Sequence, residues 1–306
     1  MFSQRQSGLE VLLERPRPSL WQKFWASPSV FLAQRLYAIT RPLAPPQPII
    51  NPVTVVCVSD THNTHCELPE GDLLIHAGDL IQSGSFQELQ RTIDWLRSQP
   101  HQYKIVVAGN HDLLLDVKLD RHFSQRHDAP RHEELDWGDI IYLQDSAVTL
   151  TCSNGRQLRL YGSPKSVQHG NWAFQYPRSK NVWNGAVPHE TDILITHGPP
   201  RAHLDLLNLG CNHLLDELWR VRPSLHVFGH VHEGYGQEWL YYDEVQRAFE
   251  RVVIARRGLL NLLRVVKDAL VWCWTPMKAP KTLLVNPSMV GGLRDDQRRR
   301  PVVVTI

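Results

Sequence analysis

The feature that most restricts the fold is a pattern met five times between Val53 and His232: a short run of apolar, often β-branched residues that stops abruptly at polar ones. The runs are VTVVCVSDTHN from Val53, DLLIHAGDL from Asp72, KIVVAGNHD from Lys104, DILITHGPP from Asp192 and SLHVFGHVH from Ser224. Apolar runs of this length without alternation read as strands covered on both faces. Between the second and third, Phe86, Leu89, Ile93 and Leu96 share a helical face, and Ser85 with Glu88 forms a capping box at its start. Strand and helix alternate, so the expected fold class is mixed α/β with a largely parallel sheet. An antiparallel element is added where VTLTC and QLRLY flank Asn154-Gly155, a strong hairpin signal. Val302–Ile306 is expected to close a sheet edge.

Composition excludes several classes. A 42% hydrophobic share over 306 residues is ample for one large domain. A formal charge of +2 argues against a dedicated nucleic-acid binder, and no nucleic-acid partner is expected. Cys57, Cys66, Cys152, Cys211 and Cys273 are scattered without a Cys-x-x-Cys pair, which fits neither a disulfide framework nor a thiolate zinc site. No secretory signal is recognised, and the chain is read as intracellular and cytoplasmic.

Two segments stand apart from the strand pattern. Residues 1–50 are read as a proline-rich N-terminal arm, with Pro42, Pro45, Pro46 and Pro48 leading into the domain at 51–306. Within the arm, Leu20–Ile39 carries Trp21, Phe24, Trp25, Phe31 and Tyr37 in a helix expected to break at Pro28. Packing on its own domain is the favoured reading, with peripheral membrane or protein contact left open. Residues 238–275 are read as a helical insertion: Val245, Phe249, Val252 and Val253 form one apolar face, and Leu259, Leu262, Leu263, Val266 and Leu270 another, with Gly258 between. Burial against the domain or in a homodimer is expected for it.

The chemistry lies where the strands end, since loops at the carboxyl ends of an open α/β sheet converge on one crevice. There the chain places Asp60, His62, Asp79, Asn110, His111, His197, His230 and His232. Carboxylates, an amide oxygen and imidazoles suit Mn, Fe or Zn. One ion would leave part of this set unused, whereas two sharing a carboxylate would use nearly all of it, with Asp79 as the natural bridge. Two such cations activate a bridging water as hydroxide for in-line attack at phosphorus. His111 is placed to protonate the leaving oxygen or to stabilise phosphoryl charge. The substrate class is then a small phosphoester. Trp172, Phe174 and Tyr176 alternate and are expected to share one face of an extended segment, with a core role favoured over a base-stacking platform. His203 begins a helical pattern, with substrate contact and helix capping equally open.

These blocks, Asp60-Thr61-His62, Gly78-Asp79, Gly109-Asn110-His111-Asp112, Thr196-His197-Gly198 and Gly229-His230-Val231-His232, resemble those of the calcineurin-like metallophosphoesterase family. The resemblance covers residues 53–236 and resumes at Thr282–Ser288. It implies a four-layer αββα sandwich, with Asp60, His62, Asp79 and His232 on one divalent transition-metal ion and Asp79, Asn110, His197 and His230 on a second. Tyr161-Gly162-Ser163-Pro164 and Trp172-Ala173-Phe174-Gln175 resemble the metallophosphoesterase domain-containing subgroup, some of whose members are phosphodiesterases on cyclic nucleotides or aryl phosphodiesters. Asp79 is followed by Leu80-Ile81-Gln82, not by the Arg-Gly of the protein phosphatases, so a protein substrate is not expected. The other reading is a metal-binding scaffold with vestigial hydrolysis, against which the complete ligand set speaks.

Overall fold

The computed structural model describes residues 19–40, 49–119, 132–255, 259–274, 279–292 and 296–306. The chain divides into two compact units, one from 1–45 and 243–278, the other from 46–242 and 279–306. The prolines at 42, 45, 46 and 48, and Gly258, lie outside the described residues.

In the larger unit one sheet holds β1 (Thr54–Val58), β2 (Leu73–Ala77), β3 (Tyr103–Val107) and β4 (Ile140–Tyr142), parallel in that order. The last strand, β15 (Val302–Thr305), closes its edge antiparallel to β1. The other sheet runs in the order β11 (Gly236–Tyr241), β12 (Lys281–Asn286), β10 (Leu225–Val227), β9 (Ile193–Thr196), β6 (Gln157–Ser163) and β5 (Ser146–Thr151). Its four inner strands are parallel and both edges antiparallel. Two ribbons pair β7 (Ser166–Val167) with β8 (Gln175–Tyr176) and β13 (Val290–Gly291) with β14 (Gln297–Arg298). The β5–β6 hairpin turns at Asn154-Gly155, with Gly155 at φ 82°, a conformation that favours glycine.

The unbroken apolar runs follow from burial of both sheet faces. Val55, Cys57, Ile75 and Ile105 point into a core shared with Leu160, Ile193, Ile195, Val227 and Val285 of the other sheet. The alternate residues Val56, Val58, Leu74 and Val106 pack with Leu89, Ile93 and Leu96 of the helix Phe86–Arg97. Each such side chain contributes about 1.5–3 kcal/mol when taken out of water. The helix Asn212–Val221, which buries Leu214, Leu215, Leu218 and Val221, links parallel neighbours β9 and β10. Because the inner face of that sheet is already covered, this crossover helix lies on the outer face and completes the αββα order. The capping box at Ser85 is only half made. Ser85 Oγ accepts from the Glu88 N–H, but the Glu88 carboxylate turns to the N–H and hydroxyl of Ser83 instead of the cap backbone.

The smaller unit is helical. We number its helices α1 (Leu20–Ala26), α2 (Pro28–Thr40), α3 (Glu244–Ala255) and α4 (Leu259–Trp274). The break falls at Ser27, before Pro28, where proline suits a first helical turn. Tyr37 stacks on Phe249 at 4.2 Å, and its hydroxyl donates to Gln246, whose amide donates to Glu250 at 2.9 Å. The arm and the insertion therefore belong to one unit. Two expectations are corrected. Residues 238–241 continue β11, because the chain must pair with β12 before it leaves the sheet, so helix begins only at Glu244. On α4 the expected apolar face is split: Leu262 is buried and Val266 half-buried, while Leu263 and Leu270 are exposed, and the buried position beside Leu262 is Val265.

Candidate metal centre

The strand-end loops are wound tightly enough to force their polar residues into unusual backbone. Asp60, His62, Asp79 and His230 all have positive φ, 49°, 42°, 53° and 69°. Such conformations cost non-glycine residues free energy and persist where surrounding structure imposes them, commonly at functional sites. Glycines make room beside them. A Cβ at Gly109 would overlap the Asp79 carboxylate, and one at Gly229 would overlap that of Asp60.

Two groups of side chains result, each with one potential ligand atom per residue and all such atoms within 4.8 Å of one another. Asp60, His62, Asp79 and His232 form the first, and Asp79, His197 and His230 the second. Asp79 Oδ2 faces both: it lies 3.8 Å from His62 Nε2 and 3.3 Å from His197 Nε2. His232 Nε2 lies 3.4 Å from both Asp60 Oδ1 and His62 Nε2. The Asn110 amide oxygen completes the second group, 3.0 Å from His197 Nε2. All eight residues singled out from sequence are thus at this one place, His111 at its edge.

Electrostatically the place favours positive charge. Burial alone would raise the Asp60 carboxyl, but the hydrogen bond and charge of His232, with His197 and His62, hold it well below the usual carboxylate range. Asp79 is likewise held low, against burial, by His197. His197 is pushed up to about 9: burial opposes its charge, and Asp79 overcomes that. His230 is pushed down to about 3, chiefly by burial, so its nitrogen is a free lone pair. Two ionised carboxylates, an amide oxygen and four imidazoles converging on one place are a donor set that divalent transition-metal ions fit.

A surrounding set of contacts aims these groups. His197 Nδ1 donates to the Ala77 carbonyl at 3.0 Å, which turns Nε2 toward Asp79. Asp79 Oδ1 accepts the backbone N–H of His111 at 2.8 Å. His111 Nδ1 donates to the Gln82 carbonyl at 3.1 Å, and its ring lies 4.8 Å from that of His62.

Several contributors had no role assigned from sequence. Asp112 accepts from the N–H groups of Leu80, Ile81 and Gly109 at 3.0, 3.2 and 2.7 Å, tying the loop that carries Asp79 to the one that carries Asn110. Its place in the Gly-Asn-His-Asp block was the available signal. Ser59 and Ser288 donate to Asp60 Oδ2 at 2.6 and 2.7 Å, and Asn286 holds both Ser288 and the Val231 carbonyl. No spacing in the sequence joins these positions.

Two sequence expectations do not hold. Trp172, Phe174 and Tyr176 share no single face: Tyr176 is buried, Phe174 half-buried at φ 55°, and Trp172 exposed beside His111. The positive φ at Phe174 breaks the alternation of an extended strand. His203 starts no helix, since Ala202, Leu204, Leu206 and Leu207 all have positive φ. It is fully buried, with Nδ1 3.0 Å from Glu238.

A family model described as calcineurin-like phosphoesterase matches residues 53–234. A protein of Emericella nidulans named probable rhamnogalacturonate lyase C is 44% identical over 308 residues, covering 97% of this chain and 29% of that protein. Human metallophosphoesterase domain-containing protein 1 is 42% identical over 204 residues, 59% of this chain and 61% of that one. A UPF0046 protein of Caenorhabditis elegans is 34% identical over 244 residues, 74% and 81% of the two chains. The chain therefore spans less than two thirds of the first two relatives. With its strand-end ligand blocks inside the matched region, the chain belongs to the calcineurin-like phosphoesterase family.

Proposed function

We propose that this chain is a binuclear metal-dependent hydrolase of small phosphoesters, with phosphodiesters as its preferred substrates. The observation that carries the reading is the position of Asp79, a member of both ligand groups with one oxygen toward each. Asp60, His62, Asp79 and His232 would hold one ion, and Asp79, Asn110, His197 and His230 the other. When bound, such a pair brings an intervening water to near-neutral pKa and clamps the oxygens of an in-line displacement at phosphorus.

The remaining work falls to the chain. Ser59 and Ser288 orient Asp60, and the Ala77 carbonyl sets the tautomer of His197. His111, with Nδ1–H engaged by Gln82, has Nε2 left to carry a proton to the leaving oxygen. A cleft of about 390 Å³ adjoins His230 and His232, and His169 and Arg178 also line it. That volume suits a small ester, and a diester keeps one negative charge for the Arg178 guanidinium to meet.

The test is metal analysis of purified protein together with a panel of bis-aryl phosphate, 2′,3′- and 3′,5′-cyclic nucleotides and phosphomonoesters, run with Mn, Fe and Zn. Two ions per chain and turnover of diesters are expected. Asp79→Asn should lose ions from both groups and lower kcat/KM by roughly 100-fold or more. A metal-replete protein inert across the panel, or full activity in Asp79→Asn, would overturn the assignment.

A further inference from the structure

The helical unit keeps large apolar residues in water where a self-contained bundle would not. Trp21 and Trp25, one turn apart on α1, are each 72% exposed. On α2 the stripe Val30, Ala33 and Tyr37 is buried, while the opposite stripe Leu32, Arg35 and Ile39 faces solvent. On α4, Leu262 and Val265 turn inward, while Leu263, Lys267 and Leu270 form an outward stripe. Each outward stripe thus sets a cation between apolar side chains, and α1 and α2 contain no acidic residue at all.

Charge is divided in the same sense. Residues 1–45 and 243–278 hold 13 Lys and Arg against 6 Asp and Glu, a net +7, whereas the rest of the chain holds 20 against 25, a net −5. The overall +2 conceals this separation. On α3 the exposed positions include Arg247 and Arg251 with Glu244 at the first turn, and Glu250 is buried. No described helix is long and apolar enough to cross a membrane. A helical unit of net positive sequence charge, with exposed Trp and Leu and no spanning helix among its described residues, is suited to lying in the headgroup region.

We propose that the helical unit docks on an anionic lipid surface, with Trp21, Trp25, Leu263 and Leu270 entering the headgroup boundary and Arg35, Arg264 and Lys267 meeting lipid phosphates. Tryptophan favours that boundary because its ring is apolar and its N–H polar. Each cation near an anionic leaflet contributes about 1 kcal/mol, so charge and insertion reinforce each other. The hydrolase would then act beside a membrane. The inference is independent of which phosphoester is cleaved.

The experiment is co-sedimentation of the full chain with vesicles of phosphatidylcholine alone or with about a third phosphatidylserine. Salt is raised from about 0.1 M to about 1 M, which shortens the Debye length from about 10 to about 3 Å. Binding at least tenfold stronger to the serine-containing vesicles, lost at high salt, is expected. Trp21→Ser with Trp25→Ser, and separately Arg264→Glu with Lys267→Glu, should each weaken it about tenfold or more. The far-UV circular dichroism spectrum and its thermal midpoint should be unchanged in both, which reports that they fold. If one variant fails to fold, the other decides. Absence of binding, equal binding to both vesicles, or binding that neither variant weakens would overturn the proposal. So would a concentration-dependent dimer dissociated by the tryptophan substitutions, which would make the occupant a second copy.

Discussion

The imidazole of His111 stacks on the indole of Trp172, with ring centroids 4.3 Å apart and planes 28° apart. A hydrogen bond fixes one side of the imidazole and the indole fixes its face, so the ring cannot turn about its own axis. Trp172 is itself 36% exposed and is not part of the core.

Trp172→Ala should therefore act on turnover more than on stability. An aromatic pair contributes about 0.5–1.5 kcal/mol, so kcat/KM on a diester should fall roughly 2- to 10-fold, and Trp172→Phe should restore most of it. The melting temperature should hardly move. A steep loss of stability with unchanged kinetics would show that the indole serves packing alone.

Asp112 holds two ligand loops through three backbone N–H groups. Its carboxyl is raised to about 7, first by burial and then by the charge of Asp79. Asp112→Ala leaves these donors buried without an acceptor, at about 1–3 kcal/mol each. A large fall in the denaturation midpoint is expected, together with weaker metal retention, because the loop carrying Asp79 loses its tie. Asp112→Asn keeps one acceptor oxygen and should be milder. Equal midpoints for wild type and Asp112→Ala would contradict this account.

His76 and His226 are fully buried, and burial pushes both down to about 3 from the ordinary 6.5. The folded value lies below the unfolded one, so the unfolded chain takes up protons first as pH falls. Stability is full above about pH 6.5 and declines toward pH 3, by about 1.4 kcal/mol per unit per histidine. At pH 5 each should cost about 2 kcal/mol relative to pH 8. Urea midpoints should show this slope, and His226→Gln should make it shallower. An identical slope in that variant would remove His226 from the explanation.

Most of the fold was legible because it rests on local patterns. Both faces of β1, β2 and β3 are covered, so their apolar runs carry no polar alternation, and their abrupt ends mark the sheet's carboxyl edge. Asn154-Gly155 specifies its hairpin through backbone conformation alone. The expected ligands Asp60, His62, Asp79, Asn110, His197, His230 and His232 meet for the same reason: each sits one to five residues past a strand whose neighbours are fixed by the sheet.

What the sequence determined by itself, then, was which residue types stand at which strand ends, and hence the family and the candidate donor set. The tertiary structure alone decided how those donors are held and what faces outward. Asp60 is clamped by Ser288 from 228 positions away, and Trp172 leaves the core because Phe174 turns at positive φ. The apolar faces of α4 look alike in sequence, yet Leu262 packs inward and Leu263 does not. Periodicity records which side chains share a face of one element. It does not record which element, or which solvent, that face will meet.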